Sequence, residues 1–491
     1  MVKSLPMLEA AVEGDEVAAA AAAFVISKRR RRVGMTVLSL AMLVVLFWCG
    51  VMPLISDTFR PPPILSSWPK AHFSVTAEYE DPAVTAPPIF PPERVYESNG
   101  YLMLYCNGGL NQMRAAICDM VSIARYLNLT LVIPELDKRS FWADASNFED
   151  IFDVDHFINS IRDEVKIIKE LPPELAGETP YSMEPVSWSL EKYYLEIILP
   201  LIQKHKVIRF RKTDTRLANN GLSHQLQNLR CRVNYHALKF SPHIDKLGQK
   251  LISILKKSGD FVVLHLRYEM DMLSFSGCTH GCSDDEIEEL TRMRYRIDWW
   301  KYKEIISEDK RLEGLCPLTP EEASLTLQAL GIPRNTTIYI AAGQIYGGER
   351  RMAALKSAFP TTVEKEMLLS SDELGPLLNH SSQMAALDYM VSLASDVFIP
   401  TYDGNMAKLV EGHRRYNKFQ KSIIPNRKAL VELFDLYQDE NISWDQFSKA
   451  VMDAHVNRWG QPRNREVIKG QPKVEDYFYS NPQECLNSLT V

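Results

Sequence analysis

Four ionisable side chains occupy alternate positions directly after an apolar run. The run is Phe261-Val-Val-Leu, and the ionisable residues that follow it are His265, Arg267, Glu269 and Asp271. If the strand continues to Asp271, all four side chains share one face of the sheet. An arginine held at a strand end can clamp a diphosphate through two parallel hydrogen bonds. The pattern therefore predicts a phosphate-binding Arg267; an internal ion-pair network that orients the loop is the alternative.

The acids beside Arg267 indicate proton transfer. A carboxylate within hydrogen-bond reach of a substrate hydroxyl can act as its general base. We expect Asp271 to take this role, with Glu269 as the second choice. Asp119 is the third choice, because it lies about one helical turn below a glycine-rich turn.

Two other turns connect a predicted strand to a predicted helix. Residues 107–112 (Asn-Gly-Gly-Leu-Asn-Gln) follow the apolar strand 101–105, and residues 401–408 (Thr-Tyr-Asp-Gly-Asn-Met-Ala-Lys) follow the strand 396–400. Glycine lets the backbone approach a ligand, and a helix N-terminus favours negative charge. Both turns therefore suit phosphate binding. An ordinary strand–helix turn, or an N-cap by Asp403 or Asn405, is the alternative.

Strands and helices alternate through the central and C-terminal parts of the chain. This order predicts an α/β fold with parallel sheets covered by helices on both faces. We predict two Rossmann-like domains that face a cleft, residues 96–250 and 251–480, followed by a tail, 481–491. Ligands of such folds bind beyond the carboxyl ends of the strands, where all three motifs lie.

The N-terminal region predicts a membrane anchor. A basic cluster at residues 28–32 precedes residues 33–55, a run of 23 residues without a charge. Such a run is long enough to span a bilayer, and positive charge before it holds the N-terminus in the cytosol. A cleaved signal peptide is the alternative. We expect a disordered cytosolic tail over 1–27, a signal anchor over 33–55 and a proline-rich stem over 56–95.

Composition limits the partners and the compartment. The 491-residue chain has a formal net charge of −6, which argues against a broad nucleic-acid-binding surface. Seven cysteines follow Cys49, so in an oxidising lumen at least one stays free or pairs between chains. Four tripeptides fit the glycosylation pattern, at Asn128, Asn335, Asn379 and Asn441.

Three other features have plain alternatives. Asp153 and Asp155 fit a metal-binding Asp-x-Asp pattern, but they lie in an acidic, aromatic run typical of a solvated surface. Cys278 and Cys282 are not spaced like a zinc site, and we expect a loop disulfide there, together or with other partners. Four tryptophans could stack on sugar rings or belong to the core: Trp142, Trp188, Trp299 and Trp300.

Long sequence runs over most of residues 100–480 carry a family resemblance. They include NGGLNQMRAAICDMVSIARYLN, PELDKRSFWAD, HLRYEMDMLSFSGC, IYIAAGQIYGG and NHSSQMAALDYMVSLASDVFIPTYDGNMAK. The chain resembles the plant family of O-fucosyltransferase-like glycosyltransferases. Within that family it is most similar to the rhamnogalacturonan I rhamnosyltransferases.

The resemblance implies a Golgi type II enzyme with the two-domain GT-B fold. It implies inverting transfer without a metal or other cofactor, from UDP-β-L-rhamnose to galacturonic acid of the rhamnogalacturonan I pectin backbone. A GDP-fucose-dependent protein O-fucosyltransferase is the first alternative. A non-catalytic partner in a Golgi polysaccharide synthase complex is the second, and a homo-oligomer is also open.

The resemblance also assigns residues. It implies that Arg267, with His265 beside it, contacts the donor diphosphate. It implies that the loop between donor and acceptor is formed by Asn107, Gly108, Gly109 and Asn111. It also implies that the nucleotide pocket is lined by Asp388, Gly404, Asn405 and Met406. The turn around Asn405 departs from the Ser/Phe-containing turn of animal protein O-fucosyltransferases, which disfavours GDP-fucose as the donor.

Overall fold

The structure is a computed structural model that describes residues 90–142, 144–417 and 420–486. All of the described residues belong to one compact unit, residues 84–491. The predicted cytosolic tail (1–27), the predicted anchor (33–55) and nearly all of the predicted stem (56–95) lie outside the described residues. Within the described ranges, no helix has both the length and the apolar character needed to cross a bilayer.

The first of two parallel sheets has five strands. They are β1 Tyr101–Tyr105, β2 Thr130–Val132, β3 Ile167–Ile168, β4 Tyr181–Met183 and β5 Val207–Arg211. Their order across the sheet is β3-β2-β1-β5-β4, with every pairing parallel. In the central pair, Tyr101 lies opposite Val207 and Tyr105 opposite Arg211. The order reverses between β1 and β5, because β2 and β3 continue on the other side of β1.

The second sheet has four parallel strands. They are β6 Phe261–His265, β7 Thr337–Ile340, β8 Thr362–Val363 and β9 Val397–Pro400, in the order β8-β7-β6-β9. Every residue of β6 is buried, as a strand covered on both faces requires. His265 lies opposite Pro400, where β6 and β9 end together. The order reverses between β6 and β9. The predicted α/β fold with parallel sheets is confirmed.

Helices cover both sheets. In chain order they are α1 Leu110–Tyr126, α2 Phe148–Ile151, α3 Val154–Ser160, α4 Glu191–Tyr193, α5 Leu199–His205, α6 His224–Arg232, α7 Pro242–Lys257, α8 Met270–Ser276, α9 Asp284–Arg294, α10 Asp298–Lys301, α11 Ser307–Leu312, α12 Pro320–Ala329, α13 Gly348–Ala358, α14 Lys365–Leu368, α15 Ser371–Leu374, α16 Ser381–Ala394, α17 Asn405–Tyr416, α18 Arg427–Gln438 and α19 Trp444–Ala454. Two π-helical segments, Tyr194–Ile198 and Val233–Ala237, extend α4 and α6.

One apolar core joins the two sheets. It contains Leu104 of β1, Val263 of β6 and Leu387 of α16, all at most 1% exposed. Helix α7 packs beside α16 in this core, with Ile244, Leu251 and Leu255 on its buried face. The boundary predicted at residues 250/251 falls inside α7. A second core covers the opposite face of the second sheet and includes Leu264.

The C-terminal segment returns to the first half of the chain. Tyr479 donates a hydrogen bond to Asp119 of α1 at 2.6 Å. Cys485, inside the predicted tail 481–491, forms a disulfide with Cys231 of α6. These contacts hold residues 477–485 against α1 and α6.

Gly412 of α17 marks the closest approach of this segment. A Cβ atom there would collide with the carbonyl oxygen of Tyr479 and would lie 2.7 Å from its carbonyl carbon. Backbone yields less readily than a side chain, so we predict that Gly412→Ala lowers the free energy of unfolding by about 1–3 kcal/mol in urea titrations. Gly177→Ala is the matched control, since nothing lies within 4 Å of its Cβ position. Equal stability of the two variants would contradict this packing.

Candidate active site

Three turns lie at the carboxyl ends of strands where the strand order reverses. The first follows β1 at residues 106–109, the second follows β6 at 266–269, and the third follows β9 at 401–404. Parallel α/β sheets bind ligands at such switch points, because the loops on either side diverge and leave a crevice. The three motifs singled out in the sequence therefore lie at the carboxyl edges of their sheets, at the points where the strand order reverses.

The first turn is held open by its glycines and by one carboxylate. Gly108 has φ +88°, a conformation that favours glycine, and its N–H donates to Asp137 Oδ2 at 2.6 Å. Gly109 caps α1 without a side-chain hydrogen bond, and nothing lies within 4 Å of its Cβ position. The space beside Gly109 is therefore open, and the ligand contact predicted for this turn stays a prediction.

Asp137 is a site residue that the sequence reasoning missed. It follows β2, and its Oδ1 also accepts hydrogen bonds from the backbone N–H groups of Arg139 and Ser140. Burial opposes its ionisation, but a hydrogen bond from the Ser140 side chain, together with those from the backbone N–H groups of Arg139, Ser140 and Gly108, lowers the pKa of Asp137. Its position after a strand of the same sheet was the signal that could have found it.

A hydrogen-bond chain joins the first turn to the third. Gln112 of α1 donates to Asp214 Oδ2 at 2.8 Å, and Asn405 of α17 donates to Gln112 Oε1 at 3.4 Å. Between them lies a cavity of about 130 Å³, lined by Gln112, Asp119, Trp188, Asp214, Asn405 and Tyr477 among others. The N-termini of α1 and α17 thus flank one cavity, which joins residues of both sheet edges.

Some residues predicted to contact a ligand, in these two turns and in the first turns of the helices after them, are occupied by contacts within the protein or are buried. Asn107 is half-buried and accepts a hydrogen bond from Asp214 N at 3.5 Å. Asn111 is 6% exposed, and its Oδ1 has no hydrogen-bond partner among the described residues. Gly404 caps α17, and Met406 packs against the core.

The second turn departs from the prediction. The strand ends at His265 and does not continue to Asp271; Glu269 is the N-cap of α8, and Asp271 lies in its first turn. The backbone pairing of β6 with β9 ends with the hydrogen bond from Thr401 N to His265 O at 3.0 Å, and beyond it Arg267 N donates to the Thr401 hydroxyl and not to a backbone carbonyl of β9. The four ionisable residues therefore do not share one strand face.

Arg267 is nevertheless brought together with both acids. Its guanidinium donates to Glu269 Oε2 at 2.6 Å and to Asp271 Oδ1 and Oδ2 at 2.9 and 2.6 Å. The Arg267 side chain is 18% exposed. The internal ion-pair network that the sequence left open as the alternative is present.

This network controls the charge of its members. Burial opposes ionisation of Asp271, yet Arg267 and the indole N–H of Trp142, which donates to Asp271 Oδ2 at 2.9 Å, lower its pKa. Burial also opposes the charge of Arg267, but Glu269 and Asp271 raise its pKa. The cluster is therefore one cation held between two anions, with a net charge of −1.

The remaining predicted site residues are buried supports. Asp388 accepts hydrogen bonds from Tyr339 at 2.8 Å and from Lys365 at 3.0 Å, with 4% of the residue exposed. Asp119 Oδ1 accepts from both Arg230, at 2.9 Å, and Tyr479. Asp388 holds the end of the second sheet, and Asp119 fixes the wall of the cavity.

The structure also shows where the aspartates, cysteines and glycosylation tripeptides noted in the sequence lie. Asp153 caps α3 by accepting from His156 N, and Asp155 pairs with Lys169. Cys278 forms a disulfide with Cys316, whereas Cys282 is free, as are Cys106 and Cys118. Asn335, Asn379 and Asn441 are exposed, and Asn128 is half-buried with its side chain accepting from Arg94.

Comparison with known proteins identifies the family to which the chain belongs. The sequence model of the family described as GDP-fucose protein O-fucosyltransferase matches residues 101–417. Rhamnogalacturonan I rhamnosyltransferase 1 of Arabidopsis thaliana is 63% identical over 406 residues, 82% of this chain and 81% of the relative. O-fucosyltransferase 7 of the same plant is 48% identical over 398 residues, 79% and 70% of the two chains. A crystal structure of POFUT1 in complex with GDP-fucose matches with a TM-score of 0.40 at 13% identity, over 67% of this chain and 99% of that one.

The matched residues begin at β1 and end one residue beyond α17, so they contain both sheets and all three turns. The chain is a glycosyltransferase. It belongs to the GDP-fucose protein O-fucosyltransferase family, and rhamnogalacturonan I rhamnosyltransferases are among its relatives. The resemblance inferred from the sequence is confirmed.

His265 gives this site a pH dependence. Its Nδ1 donates to Ala341 O at 2.8 Å, and burial lowers its pKa, so the imidazole is neutral in the fold. The unfolded state takes up a proton below its ordinary pKa of about 6.5, so stability from this residue is present above that pH and lost below it. We predict that unfolding between pH 7.5 and 5.5 is less pH-dependent in His265→Asn, by at most about 1.4 kcal/mol. Identical pH profiles would contradict a neutral His265.

Proposed function

We propose that the chain is an inverting rhamnosyltransferase that needs no metal or cofactor. It moves L-rhamnose from UDP-β-L-rhamnose to galacturonic acid at the non-reducing end of the rhamnogalacturonan I backbone, for pectin synthesis in the cell wall. The observation that carries the proposal is the 63% identity, over 82% of this chain, to a relative named rhamnogalacturonan I rhamnosyltransferase 1.

The proposed arrangement is of the GT-B type. Each parallel sheet forms one side of a cleft, and the three turns at the switch points line it. The support for this arrangement is the Asn405–Gln112 hydrogen bond, which brings the N-termini of α17 and α1 to one cavity. Their N–H groups and dipoles suit the diphosphate of a nucleotide sugar.

Arg267 has two states in the proposed mechanism. Without donor it is neutralised by Glu269 and Asp271. Donor binding brings two phosphates that compete for the guanidinium, and Arg267 exchanges a carboxylate for a phosphate oxygen. The exchange stabilises the charge that develops on the leaving diphosphate, and electrostatic stabilisation of this kind commonly contributes more to catalysis than any other effect.

The same exchange prepares the base. The pKa of Asp271 is lowered by Arg267, so this carboxylate accepts a proton more readily once the guanidinium turns to phosphate. Trp142 continues to hold one oxygen of Asp271. Asp271 then takes the proton of the acceptor hydroxyl, whose oxygen bonds to the anomeric carbon with inversion as the carbon–oxygen bond to the diphosphate breaks. UDP leaves with the bonding electrons.

We place the enzyme in the Golgi membrane as a single-pass type II protein with its catalytic head in the lumen. The support is the basic cluster 28–32 before the uncharged run 33–55. Protease protection of sealed microsomes tests this orientation.

A GDP-fucose-dependent O-fucosyltransferase is the second candidate. The family description and the 48% identity to O-fucosyltransferase 7 favour it. The two candidates share the Arg267 mechanism and differ in donor and acceptor.

The donor assay separates the candidates. We predict that the purified full-length chain transfers rhamnose from UDP-β-L-rhamnose to oligogalacturonide-type acceptors, and that EDTA leaves the rate unchanged. The measurement is product formation over a panel of nucleotide sugars, with and without chelator. Turnover with GDP-fucose but not with UDP-β-L-rhamnose would support the second candidate. Loss of turnover in EDTA would contradict the metal-free mechanism.

The role of Arg267 in the proposed mechanism is tested by substitution. We expect Arg267→Ala to lower kcat/KM at least a hundredfold, since losing one such donor costs about 2.7–4 kcal/mol in other enzymes. Arg292→Ala is the control, because Arg292 forms an exposed i,i+4 ion pair with Glu288 on α9. Thermal unfolding of both variants establishes that they fold. Unchanged turnover in folded Arg267→Ala would rule out the proposed clamp.

A further inference from the structure

A surface of exposed rings and cations lies beside the Arg267 network. We define the aromatic–cationic surface as Phe141, Trp142 and Trp300 with Arg294, Lys303 and Lys310. Phe141 and Trp142 belong to the loop after β2, and the other four residues to α9, α11 and the chain between them. The proposed function leaves all of these residues except Trp142 without a role.

The rings pack around one buried residue. Phe141 and Trp142 lie edge-on to Phe275 of α8, with centroids 5.1 and 5.8 Å away. Trp300 stacks on Phe275 at 5.9 Å with an interplanar angle of 29°. Phe141 and Trp142 are still 47% and 40% exposed. A set of fixed, exposed rings offers flat apolar faces on which the C–H groups of sugar rings can stack.

The three cations lie close together and form no ion pair among the described residues. Lys303 Nζ lies 4.2 Å from the centroid of Trp300. Burial, followed by the charges of Lys303 and Arg294, lowers the pKa of Lys310, with Glu313 acting in the opposite direction. No ion pair involves Arg294, Lys303 or Lys310 within the described part of the chain, and the buried Arg294 Nε has no hydrogen-bond partner there.

This grouping needs a reason, because like charges close together repel each other. Three buried cations elsewhere in the protein, Arg230, Arg311 and Lys365, each pair with a carboxylate and are at most 3% exposed at the side chain. The chain as a whole carries a net charge of −6. Three neighbouring cations that form no ion pair within the described ranges are suited to an anionic ligand, whose arrival offsets their repulsion.

The position of the surface links it to the reaction. Trp142 donates to Asp271, the proposed base, so the rings begin where the acceptor hydroxyl is deprotonated. The Arg294 guanidinium lies near Gly277, since a Cβ there would be 3.0 Å from Arg294 Nη1, and Gly277 ends the helix that begins beside Asp271. A chain bound across α8 would therefore reach the base with one end.

We propose that the aromatic–cationic surface binds the acceptor as an acidic oligosaccharide, with uronate rings on the aromatic side chains and their carboxylates against Arg294, Lys303 and Lys310. A neutral glycan would use the rings alone and leave the cations unpaired. The assignment of this ligand as the acceptor rests on the proposed function, whereas binding of the acidic chain does not.

The test is a binding titration with the full-length chain, without donor. The probes are an oligogalacturonide and its methyl-esterified form of the same length, which keeps the rings but loses the carboxylate charges. We expect the acidic probe to bind at least tenfold more tightly at low salt and to lose this advantage at high salt. Equal affinity for the two probes at low salt would overturn the proposal.

Substitutions test whether the residues of the aromatic–cationic surface form the binding site. Lys303→Gln/Lys310→Gln should weaken binding of the acidic probe at least tenfold and leave the esterified probe unchanged, while Phe141→Ala should weaken both. Lys449→Gln, at an exposed lysine on α19, is the matched control. Wild-type affinity in the double lysine variant would overturn the proposal.

Turnover separates this proposal from the proposed function. If UDP-rhamnose is the donor, the double lysine variant should show at least a tenfold higher KM for acceptor with an unchanged rate of donor hydrolysis. If no rhamnose is transferred but the charge-dependent binding is found and lost in the variant, the proposed function fails and this surface stands. Transfer with an unchanged acceptor KM would refute the acceptor assignment alone.

Discussion

The arrangement of the site depends on one guanidinium that is shared between two carboxylates. Arg267 cannot hold Glu269, Asp271 and a diphosphate with equal strength, because its donors are few and fixed in one plane. In the proposed mechanism the ligand of the leaving group and the base are therefore held in one cluster, which carries a net charge of −1. In that mechanism a nucleotide sugar separates them, and this competition links donor binding to readiness for proton transfer.

The loop after β2 connects the parts that must act together. Asp137 at its start fixes the backbone of Gly108, and Trp142 further along fixes Asp271. A single segment thus sets both the glycine turn of the first sheet and the acid at the edge of the second. The same loop carries Phe141 onto the aromatic side of the proposed acceptor surface. The proposed donor site, the proposed base and the proposed acceptor surface consequently share one structural support.

Much of the fold follows from local pattern, whereas the site geometry follows from contacts between distant residues. Apolar runs and glycine turns predicted the strands, the parallel sheets and the three binding edges. Alternation failed after His265, because the neighbouring strands end there and Met270 begins a helix. Arg267 still meets Asp271, through helical i,i+4 spacing in place of strand spacing. The support of Gly108 by Asp137 and the pairing of Cys278 with Cys316 join residues far apart in sequence, which spacing alone does not determine.

The return of the C-terminal segment to α1 has a consequence for biogenesis. The wall of the cavity includes Asp119, whose partner Tyr479 is 360 positions later in the chain, and the Cys231–Cys485 bond spans 254 positions. The ribosome therefore synthesises residues 477–485 long after α1, and only then can α1 and α6 acquire these partners. Until then Arg230 and Asp119 face each other without the hydroxyl of Tyr479. The wall of the cavity is thus completed only after residues 477–485 have been synthesised, and a chain that lacked Tyr479 would leave it incomplete.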